Sequence, residues 1–508
     1  MAETGHAVGL VRGLAALPRR WRGVINVMTG AVAALGQAPV GAWPLTIVAL
    51  AVMFGLFARS DGWRRAAWLG WAFGSGYFLV SLNWIIEPFL VDVARHGWMA
   101  PFALAGLAGG LALFWAVAFA LGRVAGGGAL GFIGGLGLLE LARGYVFTGF
   151  PWAQPGHVLI DTPVLHGASY FGSAGLTALV LLAGVVLWQG LAGGRIAWMG
   201  LVGIALLWPI GRALTPEAEA AAGPDAAMVR LIQPNAPQNE KWRPDKMRAF
   251  FDRQVMFSAA GDVRPDLIVW PETAVPVMLE TAARTLEVIS EAAGGVPVVV
   301  GLQRYDVQRL FNTLALIEAG GRVAAVYDKH HLVPFGEYMP YGDLLGRWGI
   351  HGLASDEGRG FSSGPGAQVI DLGGLGRALP LICYEGVFAQ DLRAAPNRAD
   401  FILLITNDAW FGNFSGPYQH LAQARLRSAE FGLPMIRVAN TGVSAMIDAT
   451  GRITEALPLG EAGWRDVALP PALAVTVYAR LGDAPMLAIF LVFLGLSLGG
   501  HRRRRRHR

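Results

Sequence analysis

From Gly23 to Ala58 the chain runs for 36 residues without a charged side chain. A stretch that long cannot be covered by the core of a small soluble domain, and it outlasts the short apolar segment of a signal peptide. Gly36-Gln37-Ala38-Pro39 and Trp43-Pro44 interrupt it near its middle, so the reading is two helices joined by a tight turn. Further charge-free spans lie at Ala66–Ile86, Gly97–Gly122, Val124–Leu139, within Gly167–Gly194, at Ile196–Gly211 and at Ala484–Gly500. A helix needs about 20 apolar residues to cross a bilayer, so the shorter spans must borrow flanking residues. The expectation is about eight transmembrane helices, seven in 1–223 and one in 479–508, with small residues such as Gly106, Gly109 and Gly110 allowing close helix packing.

Charge placement orients these spans. Arg12, Arg19, Arg20, Arg22, Arg59, Arg64, Arg65, Arg123, Arg195 and the tail HRRRRRHR fall on one side, against Arg95, Arg143 and Arg212 in the opposite short loops. By the positive-inside rule both termini are cytoplasmic, and the segment before the last helix lies outside. Only 15% of residues are charged and 54% are hydrophobic, and the net charge of +5 owes much to the tail. No basic patch with interleaved aromatics accompanies it, so nucleic acid is not an expected partner.

From Pro224 to Tyr478 the composition becomes that of a soluble α/β domain. Short strand-like runs occur at Met228–Ile232, Leu267–Trp270, Val296–Val300, Leu314–Ile317, Leu379–Ile382, Phe401–Ile405 and Met435–Val438. Helical stretches intervene at Asp245–Ala259, Leu279–Ala292 and Pro417–Phe431. Alternating strands and helices over 224–478 suggest a layered αββα sandwich beside a membrane helical bundle.

Three polar groups stand at the ends of apolar runs in this domain: Glu272 after Leu267–Pro271, Lys329 after Val326–Asp328, and Cys383, the sole cysteine, after Leu379–Ile382. A strand end can hold a side chain rigidly and still present it to substrate. A lone cysteine cannot form a disulfide within its chain, and its bland reading is a small buried apolar residue. For Glu272 and Lys329 the bland reading is an ordinary ion pair. Taken together, however, a carboxylate that accepts a thiol proton, an ammonium that stabilises an oxyanion and a thiol nucleophile complete the chemistry of acyl transfer through a thioester.

The stretches WPET, YDKHHLVPFGEYMP, LPLICYE and TNDAWFG resemble the nitrilase-like, or carbon–nitrogen hydrolase, superfamily with its Glu-Lys-Cys triad. The flanking helices and Thr148-Gly149-Phe150-Pro151-Trp152 narrow the resemblance to the apolipoprotein N-acyltransferase family. The resemblance implies Glu272 as general base, Lys329 as oxyanion stabiliser and Cys383 as nucleophile. It further implies support from Glu337, Glu385 and Tyr384, and a flexible arm carrying Trp242 over the site. The implied reaction is ping-pong. Cys383 takes the sn-1 acyl chain of a phospholipid, typically phosphatidylethanolamine, and passes it to the N-terminal amine of a diacylglyceryl-cysteine apolipoprotein. The implied setting is a bacterial inner membrane with the catalytic domain in the periplasm. Apolar lining that would disfavour water includes Phe335, Tyr338, Met339, Phe361, Trp410 and Phe411. The sequence departs from the pattern over Arg347–Gly366, where any gate over the site would lie.

No cofactor motif is present, and no His/Cys/carboxylate spacing for zinc occurs. His330-His331 reads as neighbours on a strand, whose side chains would point to opposite faces. The rival readings are a membrane-anchored carbon–nitrogen hydrolase with the same triad, for which so many helices exceed the need, and a transporter or scaffold with a catalytically inert outer domain. Transporters usually carry ionisable groups within their spans, and these spans are nearly free of them.

Overall fold

The computed structural model describes residues 18–216, 226–340 and 360–506. Arg12, the 223/224 boundary, the end of the basic tail and most of the Arg347–Gly366 stretch lie outside the described residues. The chain forms two compact units. One comprises the chain up to Ile86, Met99–Thr215 and the chain from Val475; the other comprises Glu87–Trp98 and Pro216–Ala474.

The first unit is helical: α1 (Arg19–Ala34), α2 (Trp43–Ala58), α3 (Trp63–Ser81), α4 (Ala100–Val124), α5 (Ala129–Arg143), α6 (Ala168–Leu191), α7 (Arg195–Leu214) and, late in the chain, Ala484–Arg506. The Gly23–Ala58 run does split in two, at the turn that Pro39 occupies. Among the described residues, four helical stretches are long and apolar enough to cross a membrane: Val93–Val124, Pro163–Leu191, Arg195–Leu214 and Ala484–Arg503. A fifth exists if α3 and the Asn83–Leu90 helix, bent by 65°, count as one. The others fall short of about 20 residues, because the long run divides into two helices of 16 residues and α5 has only 15.

Close packing falls elsewhere than expected. The space beside Gly106 and Gly110 is open, and Gly109 meets only the Trp71 ring edge at 4.0 Å. Instead a Cβ on Gly30 would strike the Phe73 carbonyl, and one on Gly76 the Val27 carbonyl, so α1 and α3 touch backbone to backbone there. Arg143 is no loop charge. It is 1% exposed, and its Nη2 donates to Glu140 Oε2 at 2.6 Å while Nη1 donates to the Trp152 carbonyl at 2.8 Å. A buried charge persists only when paired and hydrogen-bonded, and here the pair fixes the Thr148–Trp152 turn from below.

The second unit holds two mixed six-stranded sheets. The first has the order β12-β1-β2-β3-β4-β5, with β1 Met228–Gln233, β2 Leu267–Val269, β3 Val298–Asp306, β4 Arg309–Glu318, β5 Arg322–Asp328 and β12 Gly463–Ala468. The second has the order β11-β10-β9-β8-β7-β6, with β6 Ile370–Asp371, β7 Arg377–Ile382, β8 Phe401–Thr406, β9 Met435–Ala439, β10 Ser444–Ile447 and β11 Ile453–Leu457. Val229, Leu231, Val299 and Leu314 from the first sheet share one buried cluster with Ile382, Leu403, Ile436 and Val438 from the second. The other face of the first sheet is covered by helices α8 (Pro244–Ser258) and α9 (Ala283–Ala292), with Phe251, Leu286 and Ile289 against Trp270, Val298 and Val300. Helix α10 (Gly416–Phe431) packs on β9 and on the turn after β7.

The expected run Leu314–Ile317 is only the later part of β4, and of β5 the sequence showed only its end, Val326–Asp328. Its first residues are exposed, including Arg322 and Val323, so it lacks the apolar signature of a buried strand. Pro380 lies within β7, where it cannot donate to a ladder. Its free side is explained by the partner, since β6 pairs only with Ala378 and Arg377.

Candidate active site

Glu272 sits just beyond β2 on a turn pressed against β3. A Cβ on Gly301 would fall 2.5 Å from the Pro271 carbonyl, so glycine is what admits the turn so close. Thr273 has φ of 46°, and Lys241 Nζ, only 6% exposed, ties the turn by donating to the Glu272 carbonyl at 3.1 Å and to Thr273 Oγ1 at 2.8 Å. Burial pulls the Lys241 ammonium down to about 8, with Glu272 opposing. The Glu272 carboxylate itself is 6% exposed. Its Oε1 accepts from Asn312 Nδ2 at 2.6 Å, and its Oε2 has no hydrogen-bond partner among the described residues.

Lys329 follows β5 directly and is 1% exposed. Its Nζ donates to Glu337 Oε1 at 2.8 Å and lies 3.8 Å from Glu272 Oε1. Burial works against this ammonium, but Glu337 and Glu272, and more weakly Cys383, outweigh it and hold its pKa above the ordinary value. Asn312, which the strand reading passed over, bridges the two carboxylates, since the same Nδ2 reaches Glu337 Oε1 at 3.2 Å. The clue was an amide inside an apolar strand: Asn312 is 2% exposed between Phe311 and Leu314.

Cys383 opens the turn directly after β7 and is 5% exposed, with φ of 53°. A positive φ is strained for a side chain with a Cβ and persists only when its surroundings impose it. Much of that imposition comes from Glu385, which is fully buried. Its Oε2 accepts from the Ile382 N–H at 2.7 Å and the Tyr327 hydroxyl at 2.9 Å, and its Oε1 from the His330 N–H at 2.7 Å and the His331 N–H at 3.1 Å. One carboxylate thereby ties the Cys383 turn to the segment after Lys329. Burial raises the thiol pKa well above its ordinary value, Glu272 adds to this, and Lys329 and a Thr406 hydrogen bond pull the other way.

The histidine pair does not behave as strand neighbours, because β5 stops at Asp328. His331 Nδ1 lies 2.8 Å from Asp391 Oδ2, whereas His330 lies between two carboxylates, its Nδ1 2.7 Å from Glu385 Oε1 and its Nε2 3.7 Å from Asp391 Oδ2. Tyr384 is 5% exposed and packs edge-on to Phe388 at 4.8 Å between centroids.

A cavity of 290 Å³ opens over the carboxylates, lined by Glu272, Glu337 and Asn312 together with Trp242, Phe361 and Trp410. Phe335, 58% exposed, and Tyr338 do not line it. Phe411 packs on the intersheet core and edge-on to His420 instead, at 5.6 Å between ring centroids. Pro88, Val91, Asp92, Arg95 and His96 also line the cavity, from a segment that sequence reasoning left as a mere interhelix loop.

The Apolipoprotein N-acyltransferase N-terminal domain family matches residues 29–186, and the Carbon-nitrogen hydrolase family matches residues 228–478. Apolipoprotein N-acyltransferase of Rhodopseudomonas palustris is 36% identical, over 94% of this chain and 95% of its own. That of Sinorhizobium medicae is 35% identical, over 89% of this chain and 90% of its own. Among solved structures, a CN-hydrolase superfamily protein from Xanthomonas campestris with an arsenic adduct in its active site matches 52% of this chain and 96% of its own, at 19% identity and a TM-score of 0.36. With near-complete coverage of such relatives, the chain belongs to the apolipoprotein N-acyltransferase family.

Proposed function

We propose that this protein N-acylates lipoproteins in two half-reactions at Cys383. Glu272 takes the thiol proton as Sγ attacks the sn-1 ester carbonyl of a phospholipid. The ester C–O bond breaks, the departing alkoxide recovers the proton from Glu272, and a lysophospholipid leaves behind a thioester. The N-terminal amine of a diacylglyceryl-cysteine apolipoprotein then attacks that thioester. Its proton passes to Glu272 and on to sulfur as the C–S bond breaks. Lys329 stabilises the oxyanion of both tetrahedral intermediates, a contact of a kind worth about 10²–10³ in rate. Glu337 holds Lys329 in place, Glu385 and Tyr384 shape the nucleophile turn, and Trp242 and Trp410 flank the entering chains.

The observation that carries this reading is the division of labour within one buried carboxylate. Glu272 Oε1 is occupied by Asn312 and lies 3.8 Å from Lys329 Nζ, while Oε2 is left open for a proton. A thiol raised by burial needs such a base to react at neutral pH.

The setting that accords with this chemistry is a bacterial inner membrane crossed eight times, with α1, α2 and α5 completing their spans with flanking residues. The 224–478 domain, layered as an αββα sandwich, faces the periplasm; both termini are cytoplasmic; and phosphatidylethanolamine is the donor. The test is to incubate the purified protein with phosphatidylethanolamine and a diacylglyceryl-cysteine peptide. Equal yields of lysophospholipid and N-acyl peptide support the reading. Free fatty acid without N-acyl peptide would point to a hydrolase instead.

A further inference from the structure

Beneath the nucleophile lies a buried polar group that the reaction above does not use. Asp408, His420 and Arg437 are all fully buried. They come from three elements: the turn after β8, helix α10 and strand β9. Asp408 Oδ1 lies 2.9 Å from His420 Nδ1 and accepts from Thr406 Oγ1 at 3.0 Å, and Oδ2 accepts from Arg437 Nη2 at 2.7 Å. The far side of the imidazole reaches the nucleophile itself, with His420 Nε2 3.3 Å from the Cys383 carbonyl.

That carbonyl can only accept, so Nε2 carries a proton whatever the state of Nδ1. The bond falls on the residue whose φ is 53°. Because the peptide is planar and trans, fixing the Cys383 carbonyl also fixes the direction of the Tyr384 N–H, which points the opposite way. Glu385 holds the turn from the Ile382 side, but as an acceptor it cannot hold the Cys383 carbonyl, which also only accepts. We propose that His420, braced by Asp408 and Arg437, is a positioning residue that clamps the Cys383 carbonyl and thereby sets both the thiol and the following N–H for acyl transfer. This rests on Cys383 being the acylated residue.

Two substitutions separate positioning from bulk. In His420→Gln the amide nitrogen lies about where Nε2 was and can still reach the carbonyl. In His420→Asn the nitrogen lies about where Nδ1 was and stops short of it, though it remains polar beside Asp408. A misplacement of about 1 Å at a reacting group costs about 10² in rate. Single-turnover acylation of Cys383 by phosphatidylethanolamine, followed by intact mass, should therefore be within about threefold of wild type for the Gln variant. For the Asn variant kcat should fall about 10²-fold, with KM for phospholipid unchanged. Alkylation of Cys383 by iodoacetamide should stay within about threefold in both variants, because that reaction forms no oxyanion and a small alkyl halide does not need the thiol aimed at one fixed ester carbonyl. Equal acylation rates in the two variants overturn the clamp, as does an Asn defect that appears in KM or equally in alkylation. A wild-type protein that acquires no acyl group on Cys383 overturns the underlying reading instead, so the two failures are told apart.

Discussion

Glu385 Oε1 accepts the backbone N–H of His330 at 2.7 Å, a bond across 55 residues of sequence that joins the nucleophile turn to the segment carrying Lys329. The Ile382 and His331 N–H groups and the Tyr327 hydroxyl, which also donate to this carboxylate, are on those two segments, as is the His330 ring, whose Nδ1 lies 2.7 Å from Oε1. Glu385→Gln keeps the shape but turns an NH2 group toward donors. Leaving a buried group unsatisfied costs about 1–3 kcal/mol, more for charged sites. We predict a fall in kcat of about 10² together with a lower Tm, measured by product formation and by thermal unfolding in detergent. A variant with wild-type kcat would show that the tie between the two segments is dispensable.

Glu272→Gln and Lys329→Met should fail in different ways. The amide cannot take the thiol proton, so acylation should be slow at neutral pH and recover as rising pH makes thiolate directly. Free cysteine titrates near ~8.5, but burial raises this thiol, so recovery should begin above that value. Lys329→Met should lose about 10²–10³ in rate and show no recovery, because pH supplies no positive charge. Parallel pH profiles in single-turnover acylation would remove the distinction between base and oxyanion stabiliser.

A separate pH dependence concerns stability. Burial disfavours the His330 imidazolium, but Asp391 and Glu385 more than compensate and raise its pKa to about 10. A group raised on folding stabilises fully below its unfolded pKa, about 6.5 for histidine, and loses that contribution as pH climbs through the folded value. Tm should therefore decline between about pH 6.5 and 10, and His330→Gln should flatten that decline. An unchanged slope in the variant would place the pH dependence elsewhere.

Orientation is open to a direct check. A membrane-impermeant protease added to spheroplasts should cut within 224–478. Protection of that domain until lysis would reverse the proposed topology.

What the sequence disclosed follows physical lines. Glu272, Lys329 and Cys383 were legible because each interrupts an apolar run just where a strand ends. Asn312 was not, since it lies inside β4 and looks like a flaw in the strand until its two carboxylate partners are seen. The Asp408–His420–Arg437 group was hidden for another reason: His420 and Arg437 lie 12 and 29 residues from Asp408, and only the fold converges them. Of the expected aromatic lining, Phe361 and Trp410 border the cavity and Phe335 does not, because composition marks such residues alike and cannot say which one faces it. Helix length was harder to read than helix existence, since apolar length in sequence does not reveal where a helix will break: α1, α2 and α5 stop at 16, 16 and 15 residues.

The central claim is that one thiol carries the acyl chain between two lipids. Intact mass spectrometry of the purified protein, first mixed with phosphatidylethanolamine and then chased with a diacylglyceryl-cysteine peptide, tests it most directly. The account predicts one long-chain acyl adduct mapped to Cys383, its disappearance on the chase with matching N-acyl peptide, and no adduct in Cys383→Ser. An adduct that persists through the chase, or one that forms equally in Cys383→Ser, would contradict it.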